Sequence, residues 1–149
     1  MNDNFKDMLS ELSAAQVEFL IVGAYAMAAH GLPRATGDID FWVRPSPDNA
    51  DRLMMALHAF KAPLFDVSVE DFAKPGTVFQ IGVPPERIDI LTAIDGVTFD
   101  EAWPNRKEMV IDGFKVYALG REHLLVNKRA SGRPKDLVDV KWLEKHTGG

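Results

Sequence analysis

The order in which strand-like and helix-like patterns follow one another constrains the fold most strongly. Two short apolar runs rich in β-branched residues alternate with helical segments, and two pairs of strand-like runs then predict antiparallel hairpins. The predicted strands are, in order, residues 17–22, 39–43, 78–83, 87–93, 109–111 and 114–118. This order predicts an α/β (α+β) fold with a mixed sheet flanked by helices rather than a doubly wound parallel sheet.

The spacing of apolar residues predicts the helices. Ser46 is a suitable N-cap for a helix that starts at Pro47, and Gly132 precedes the last of two C-terminal helices. Residues 61–76 predict a loop with one helical turn. The predicted helices are, in order, one through residues 5–12, then 24–30, one from residue 47, then 121–131 and 135–145.

Size and composition limit the class of protein. A length of 149 residues predicts one domain over 1–149 that can bury a sizeable core. The absence of cysteine excludes disulfides, zinc–thiolate sites and a thiol nucleophile. No apolar run is long enough to cross a membrane, and the first ten residues include the charged Asp3, Lys6 and Asp7 rather than an apolar signal segment. We therefore expect a cytoplasmic protein. The net charge of −5 argues against broad non-specific binding of nucleic acids.

An acidic pair opens the second predicted strand. Asp38 and Asp40 alternate with Ile39, so both carboxylates project to one face of the strand while Ile39 faces the core. Their Cα atoms lie about 6.5–7 Å apart along a strand, which lets both groups approach one hard cation. The alternative is a solvated strand end with an Asx-type turn.

A third acid, Asp89, lies inside a later strand between Ile88 and Ile90. Aspartate is disfavoured in strand interiors and costly to bury unpaired. If this strand lies beside the Asp38/Asp40 strand, three carboxylates meet at one sheet edge and form a ligand set for two Mg²⁺ ions. The alternative is an ion pair between Asp89 and Arg87 or another base.

A glycine bend precedes the acidic pair. The strand at 17–22 runs through Gly23 and Ala24 into a helix, and such a bend lets backbone N–H groups approach phosphates.

Two segments carry a resemblance to a known family. Residues 22–40 (VGAYAMAAHGLPRATGDID) and residues 125–142 (LVNKRASGRPKDLVDVKW) resemble the DNA polymerase β-like nucleotidyltransferase superfamily. The likeness is greatest to its small, bacterial, toxin–antitoxin-associated branch of minimal nucleotidyltransferases, and it covers about residues 17–143. It implies the nucleotidyltransferase fold.

The resemblance also implies roles for individual residues. Asp38 and Asp40 would be metal ligands, and Asp89 would be the third acid, which helps to activate the attacking hydroxyl. Gly23 and Ala24 would line the triphosphate. Ala24 departs from the family pattern, because glycine or serine usually follows the first glycine of this turn.

Basic residues near the C-terminus form a second candidate region. Lys128 or Arg133 could contact a triphosphate or an acceptor's phosphates, with Lys128 favoured by the resemblance, or they could pair with Asp136 and Asp139 at a solvated helix corner. Three residues ahead of the acids remain open as well. Arg34 and Thr36 are candidates for contacting a phosphate or serving as turn residues, and His30 for capping its helix or for catalysis.

The expected activity is Mg²⁺-dependent transfer of a nucleoside monophosphate (NMP) from a nucleoside triphosphate (NTP) to an acceptor hydroxyl. The acceptor could be a protein, a tRNA or a small molecule, and a homodimer or a cognate partner protein could complete the site. The main rival is a non-catalytic, antitoxin-like binding module with the same fold. A metal-dependent hydrolase using the same acids is a third hypothesis.

Overall fold

The computed structural model of the chain describes residues 2–33 and 37–146. Its elements are, in order, α1 Asp3–Ala14, β1 Phe19–Val22, α2 Ala24–Ala29, β2 Ile39–Val43, α3 Pro47–Phe60, α4 Val69–Phe72, β3 Val78–Ile81, β4 Ile88–Leu91, α5 Phe99–Ala102, a 3₁₀ turn Trp103–Asn105, β5 Lys107–Ile111, β6 Phe114–Ala118, α6 Arg121–Ser131 and α7 Pro134–Lys145. Within these described ranges, no helix combines the length and apolar character needed to cross a membrane.

The six strands form one mixed sheet in the order β3-β4-β2-β1-β6-β5. β1 is antiparallel to β2 and parallel to β6, β2 is parallel to β4, and β3–β4 and β5–β6 are antiparallel hairpins. The mixed sheet and the two hairpins are therefore as predicted. The turn at Asp112 and Gly113 has φ angles of 47° and 85°, as a type I′ turn requires.

The centre of the sheet is buried on both faces. Every residue of β1 is buried although successive side chains point to opposite sides, so helices must cover both faces. The apolar face of α1 is buried as the sequence predicts, and α1 packs against α3 while α6 packs against α7. The buried apolar residues form one cluster.

β2 and β6 have the predicted bounds, β5 begins two residues earlier than predicted, and β1, β3 and β4 are shorter than predicted. Val17 donates its backbone N–H to the Leu12 carbonyl and closes α1, so β1 begins only at Phe19. Gly82, at a φ of 82°, ends the pairing of β3. The single turn of α4 is the one predicted within 61–76.

The sequence patterns predict no element in the segment that holds α5 and the 3₁₀ turn. Thr98 and Glu101 form a capping box at the start of α5, and this Thr-x-x-Glu pattern is the signal that could have identified it.

Candidate active site

The strand register brings two of the three predicted acids side by side. β2 and β4 are parallel neighbours, and Asp40 is the direct cross-strand partner of Asp89. Asp38 lies two residues before Asp40, and its carboxylate accepts a hydrogen bond from the backbone N–H of Arg87 at 3.0 Å. We call Asp38, Asp40 and Asp89 the acid cluster. Their apolar neighbours Ile39 and Ile88 are buried, which fixes the register.

Burial and like charge act together on Asp40. Desolvation, the hydrogen bond with Asp89, the Asp89 charge and the Asp38 charge together raise the pKa of the Asp40 carboxyl to about 7, against the opposing effect of Arg87. The Asp40 carboxyl is therefore partly protonated near neutral pH when no cation is bound.

Arg87 bridges the acid cluster. Its Nε donates to Asp89 Oδ1 at 2.7 Å, its Nη2 donates to Asp89 Oδ2 at 3.2 Å, and the same Nη2 lies 3.7 Å from Asp38 Oδ2. The alternative interpretation of Asp89, an ion pair with Arg87, is thus realised together with the convergence of the acids. The bridge to Asp38 was not foreseen, although Arg87 and Asp89 alternate on one strand and must share a face.

The acid cluster has the right chemistry for a magnesium site but not a finished ligand geometry. Across residues 2–33 and 37–146, no group of three or more Asp, Glu or His side chains is spaced to hold one ion. The carboxylate oxygens are the donors that Mg²⁺ prefers, and Asp40 and Asp89 are already in contact. The residues therefore fit a divalent cation provided that the side chains adjust around it.

Gly23 has a structural reason to be glycine. It is the N-cap of α2 with a φ of 71°, a conformation that favours glycine, and a Cβ placed there would lie 2.3 Å from Asp40 Oδ2. The backbone bend and the acid cluster are therefore in direct contact. Gly23 and Ala24 both line the cavity that contains the acids.

The opposite wall of this cavity is basic. The acids, Gly23 and Ala24 enclose a cavity of about 280 Å³ together with Lys128, Arg133, Lys135 and Asp139. An adjoining cavity of about 240 Å³ shares Gly23, Asp40, Lys128 and Arg133. Helices α6 and α7 thus bring cationic side chains to face the acid cluster.

The basic wall is held by buried carboxylates. Lys128 is 6% exposed, and its Nζ lies 2.9 Å from Asp139 Oδ2 and 3.6 Å from Asp136 Oδ1. Burial raises the pKa of Asp136, but hydrogen bonds from Arg133 and Ser131 and the charge of Lys128 outweigh it and lower that pKa to about 2. The predicted ion pairs are present, but the acids are fully buried rather than at a solvated corner.

The remaining candidates lie elsewhere. His30 is the C-cap of α2, and its Nε2–H donates to the Leu119 carbonyl at 2.8 Å, away from the acidic cavity. The predictions for Arg34 and Thr36 fall outside the described residues.

The family match settles the class of protein. Residues 3–144 match the family described as nucleotidyltransferase of unknown function (DUF6036). The chain belongs to this nucleotidyltransferase family. The resemblance seen in the sequence is therefore confirmed at the level of the superfamily. A search among curated proteins found no match.

Solved structures of nucleotidyltransferases have the same fold. The antibiotic-resistance factor ANT(2'')-Ia in complex with adenylyl-2''-tobramycin is 17% identical, with a TM-score of 0.64 over 97% of this chain and 87% of that one. The lincosamide antibiotic adenylyltransferase LnuA, lincomycin-bound, is 11% identical, with a TM-score of 0.59 over 97% and 96%. A candidate nucleotidyltransferase from Thermotoga maritima is 14% identical, with a TM-score of 0.59 over 95% and 88%. At these identities the likeness establishes the nucleotidyltransferase fold.

The raised pKa of Asp40 predicts a pH dependence of stability. In EDTA-treated protein, Asp40 has a pKa of about 7 when folded, against about 3.9 when unfolded. The folded state therefore holds this proton more tightly, and its contribution to stability is lost as the pH rises through about 7. We expect urea denaturation to show the wild type losing stability relative to Asp40→Asn between about pH 4 and pH 8.

Asp51→Asn, on the exposed surface of α3, is the matched control, and its difference from the wild type should stay constant over this range. A constant difference for Asp40→Asn as well would contradict the coupling of Asp40 to Asp89.

Proposed function

We propose that this nucleotidyltransferase uses Mg²⁺ to transfer an NMP from an NTP to an acceptor hydroxyl and releases pyrophosphate. The observation that carries the proposal is the cross-strand pairing of Asp40 with Asp89. Asp38 lies two residues before Asp40, and a basic wall lies opposite all three acids. Nucleotidyl transfer needs negative groups to hold divalent cations and positive groups to hold the triphosphate, and both line one cavity.

The acid cluster would hold the metal. Asp38, Asp40 and Asp89 would supply carboxylate oxygens to two Mg²⁺ ions, which when bound neutralise the charge that develops on the reacting phosphate. The acceptor oxygen forms a bond to the α-phosphorus while the α–β bridging P–O bond breaks. Asp89 takes the proton of the acceptor hydroxyl, and pyrophosphate carries away the bonding electron pair. Arg87 balances the charges of Asp38 and Asp89.

The triphosphate would lie between the glycine bend and the basic wall. Gly23 and Ala24 would offer backbone N–H groups, and Ala24 does so without a hydroxyl group. Lys128, fixed by Asp136 and Asp139, would place its ammonium group near the phosphates. Arg34 and Thr36 stay predictions for the same phosphates.

The acceptor hydroxyl belongs to a small molecule, a protein or a tRNA. ANT(2'')-Ia and LnuA are described as an antibiotic-resistance factor and an antibiotic adenylyltransferase, which supports a small hydroxyl compound. The resemblance to the toxin–antitoxin-associated branch supports a protein or tRNA acceptor instead, with a cognate partner or a second copy completing the site.

Substitution of Asp40 tests the catalytic proposal. We expect Asp40→Asn to reduce NMP transfer by at least about 100-fold, because it removes a charge that acts on the metal in the transition state. The measurement is mass spectrometry of candidate acceptors after incubation with Mg²⁺ and each NTP. Asp51→Asn, equal in charge change, should transfer at the wild-type rate. Equal transfer by Asp40→Asn and the wild type would contradict the assignment, and NTP hydrolysis without an adduct would favour the hydrolase.

A thermal shift separates the enzyme from a non-catalytic binding module. With Mg²⁺ and an NTP at 100 times its Kd, the wild type should gain about 2.7 kcal/mol, or roughly 5–10 °C at this size. The gain should vanish in Asp40→Asn. If no NTP raises the Tm of the wild type, the hypothesis of a non-catalytic binding module is favoured.

A further inference from the structure

A second cavity, with a volume of about 650 Å³, lies outside the acidic cavity. Its charged and titratable side chains are those of His30, Arg106, Lys107, Glu108, Arg121 and His146. We call it the basic pocket, because three permanent cations line it against a single acid.

The basic pocket lies at the same end of the sheet as the acid cluster. Leu119, next to the pocket residue Gly120, donates its backbone N–H to Ile21 of β1, and the next residue of β1, Val22, pairs with Asp40. Helix α2 runs between the two cavities, and its six residues from Ala24 to Ala29 extend about 9 Å.

Aromatic rings and backbone carbonyls hold the two guanidinium groups of this pocket in place, and Arg121 also pairs with Glu122 at 2.7 Å. The Arg106 guanidinium lies 4.1 Å from the ring centroid of Trp103 and 4.5 Å from that of Tyr117, and its Nη1 donates to the Trp103 carbonyl. Arg121 donates from Nη2 to the Leu143 carbonyl at 2.7 Å. In the described part of the chain, no carboxylate forms an ion pair with Arg106 or Lys107. Their charges are therefore left for an outside anion to balance.

The charge of Glu108 is offset from outside the pocket. Its carboxylate pairs with Lys115 at 3.1 Å, which leaves the cations of the pocket without that counter-charge.

The charges of the cations also act on the imidazole of His30. Burial lowers the pKa of its imidazole, the hydrogen bond to Leu119 opposes this, and the charges of Lys107 and Arg121 lower it further.

The backbone adds to the positive potential. Gly120 is the N-cap of the 11-residue helix α6 and lines the pocket, so the first N–H groups of α6 lie at its edge. A helix N-terminus next to guanidinium and ammonium groups favours a compact dianion, and a guanidinium fork matches the oxygens of a phosphate.

We propose that the basic pocket binds a phosphate group and, resting on the proposed function, that this phosphate belongs to the acceptor. The attacked hydroxyl would then lie at the acid cluster. The pocket selects acceptors that carry negative charge and disfavours polycationic ones.

Calorimetry with inorganic phosphate, in the absence of Mg²⁺ and NTP, tests the site itself. We expect Lys107→Glu to weaken binding at least tenfold and Lys107→Gln to weaken it less. Lys141→Glu, an equal change of charge on the exposed side of α7, should leave binding unchanged. Unchanged binding in Lys107→Glu, or equal loss in Lys141→Glu, would overturn the proposal, and an unchanged circular dichroism spectrum would exclude misfolding as a cause.

Matched acceptors test whether the bound phosphate belongs to the acceptor. A dinucleotide with a 5′-phosphate should accept the NMP with at least tenfold higher kcat/KM than the same dinucleotide without it, and Lys107→Glu should remove the difference. Equal kcat/KM for both dinucleotides in the wild type would show that the pocket binds free phosphate rather than the acceptor's phosphate. That result would overturn the assignment of the pocket to the acceptor. Absence of any NTP-dependent product, with phosphate binding intact, would instead count against the proposed function.

Discussion

The contact between Asp40 and Asp89 is the interaction on which the rest of this molecule depends. Two carboxyls meet across neighbouring parallel strands in a buried setting, where like charges repel and desolvation is costly. The guanidinium of Arg87 compensates for this in the structure, and the raised pKa of Asp40 favours its neutral form. Divalent cations would compensate for it during nucleotidyl transfer. The fold thus maintains a locally unfavourable arrangement that a cation would relieve.

The surroundings of this contact are built to preserve it. Ile39, Ile88 and Ile90 are buried on the other side of the same strands, so a shift of register by one residue would expose them and bury the acids. Gly23 leaves the space that the Asp40 carboxyl occupies. Across the cavity, the buried acids Asp136 and Asp139 fix the position of Lys128.

Local sequence patterns were sufficient to predict those parts of the fold and of the site that depend on neighbouring residues. The alternation of Asp38, Ile39 and Asp40 predicts two acids on one strand face, and the Asp112-Gly113 turn and the Ser46 cap are found as predicted. The proximity of Asp89 to Asp40 could only be stated as a condition, because it depends on β2 pairing with β4 rather than on local spacing. The bridging contact of Arg87 with Asp38 depends on the same long-range pairing.

The basic pocket lay beyond the reach of sequence patterns for a similar reason. Its residues come from the end of α2, the start of β5, the junction of β6 with α6 and the end of α7. No motif links Lys107 to His30 or Arg121. Only the parallel pairing of β1 with β6 brings these segments to the end of the sheet where the acid cluster lies.

Anomalous diffraction from a crystal grown with Mn²⁺ and a non-hydrolysable NTP tests the central claim most directly, because it locates the cation without relying on activity. The account predicts an anomalous peak at coordination distance, about 2.0–2.3 Å, from carboxylate oxygens of Asp40 and of Asp38 or Asp89. Nucleotide bound with no Mn²⁺ on these carboxylates, or Mn²⁺ bound at another site alone, would contradict it.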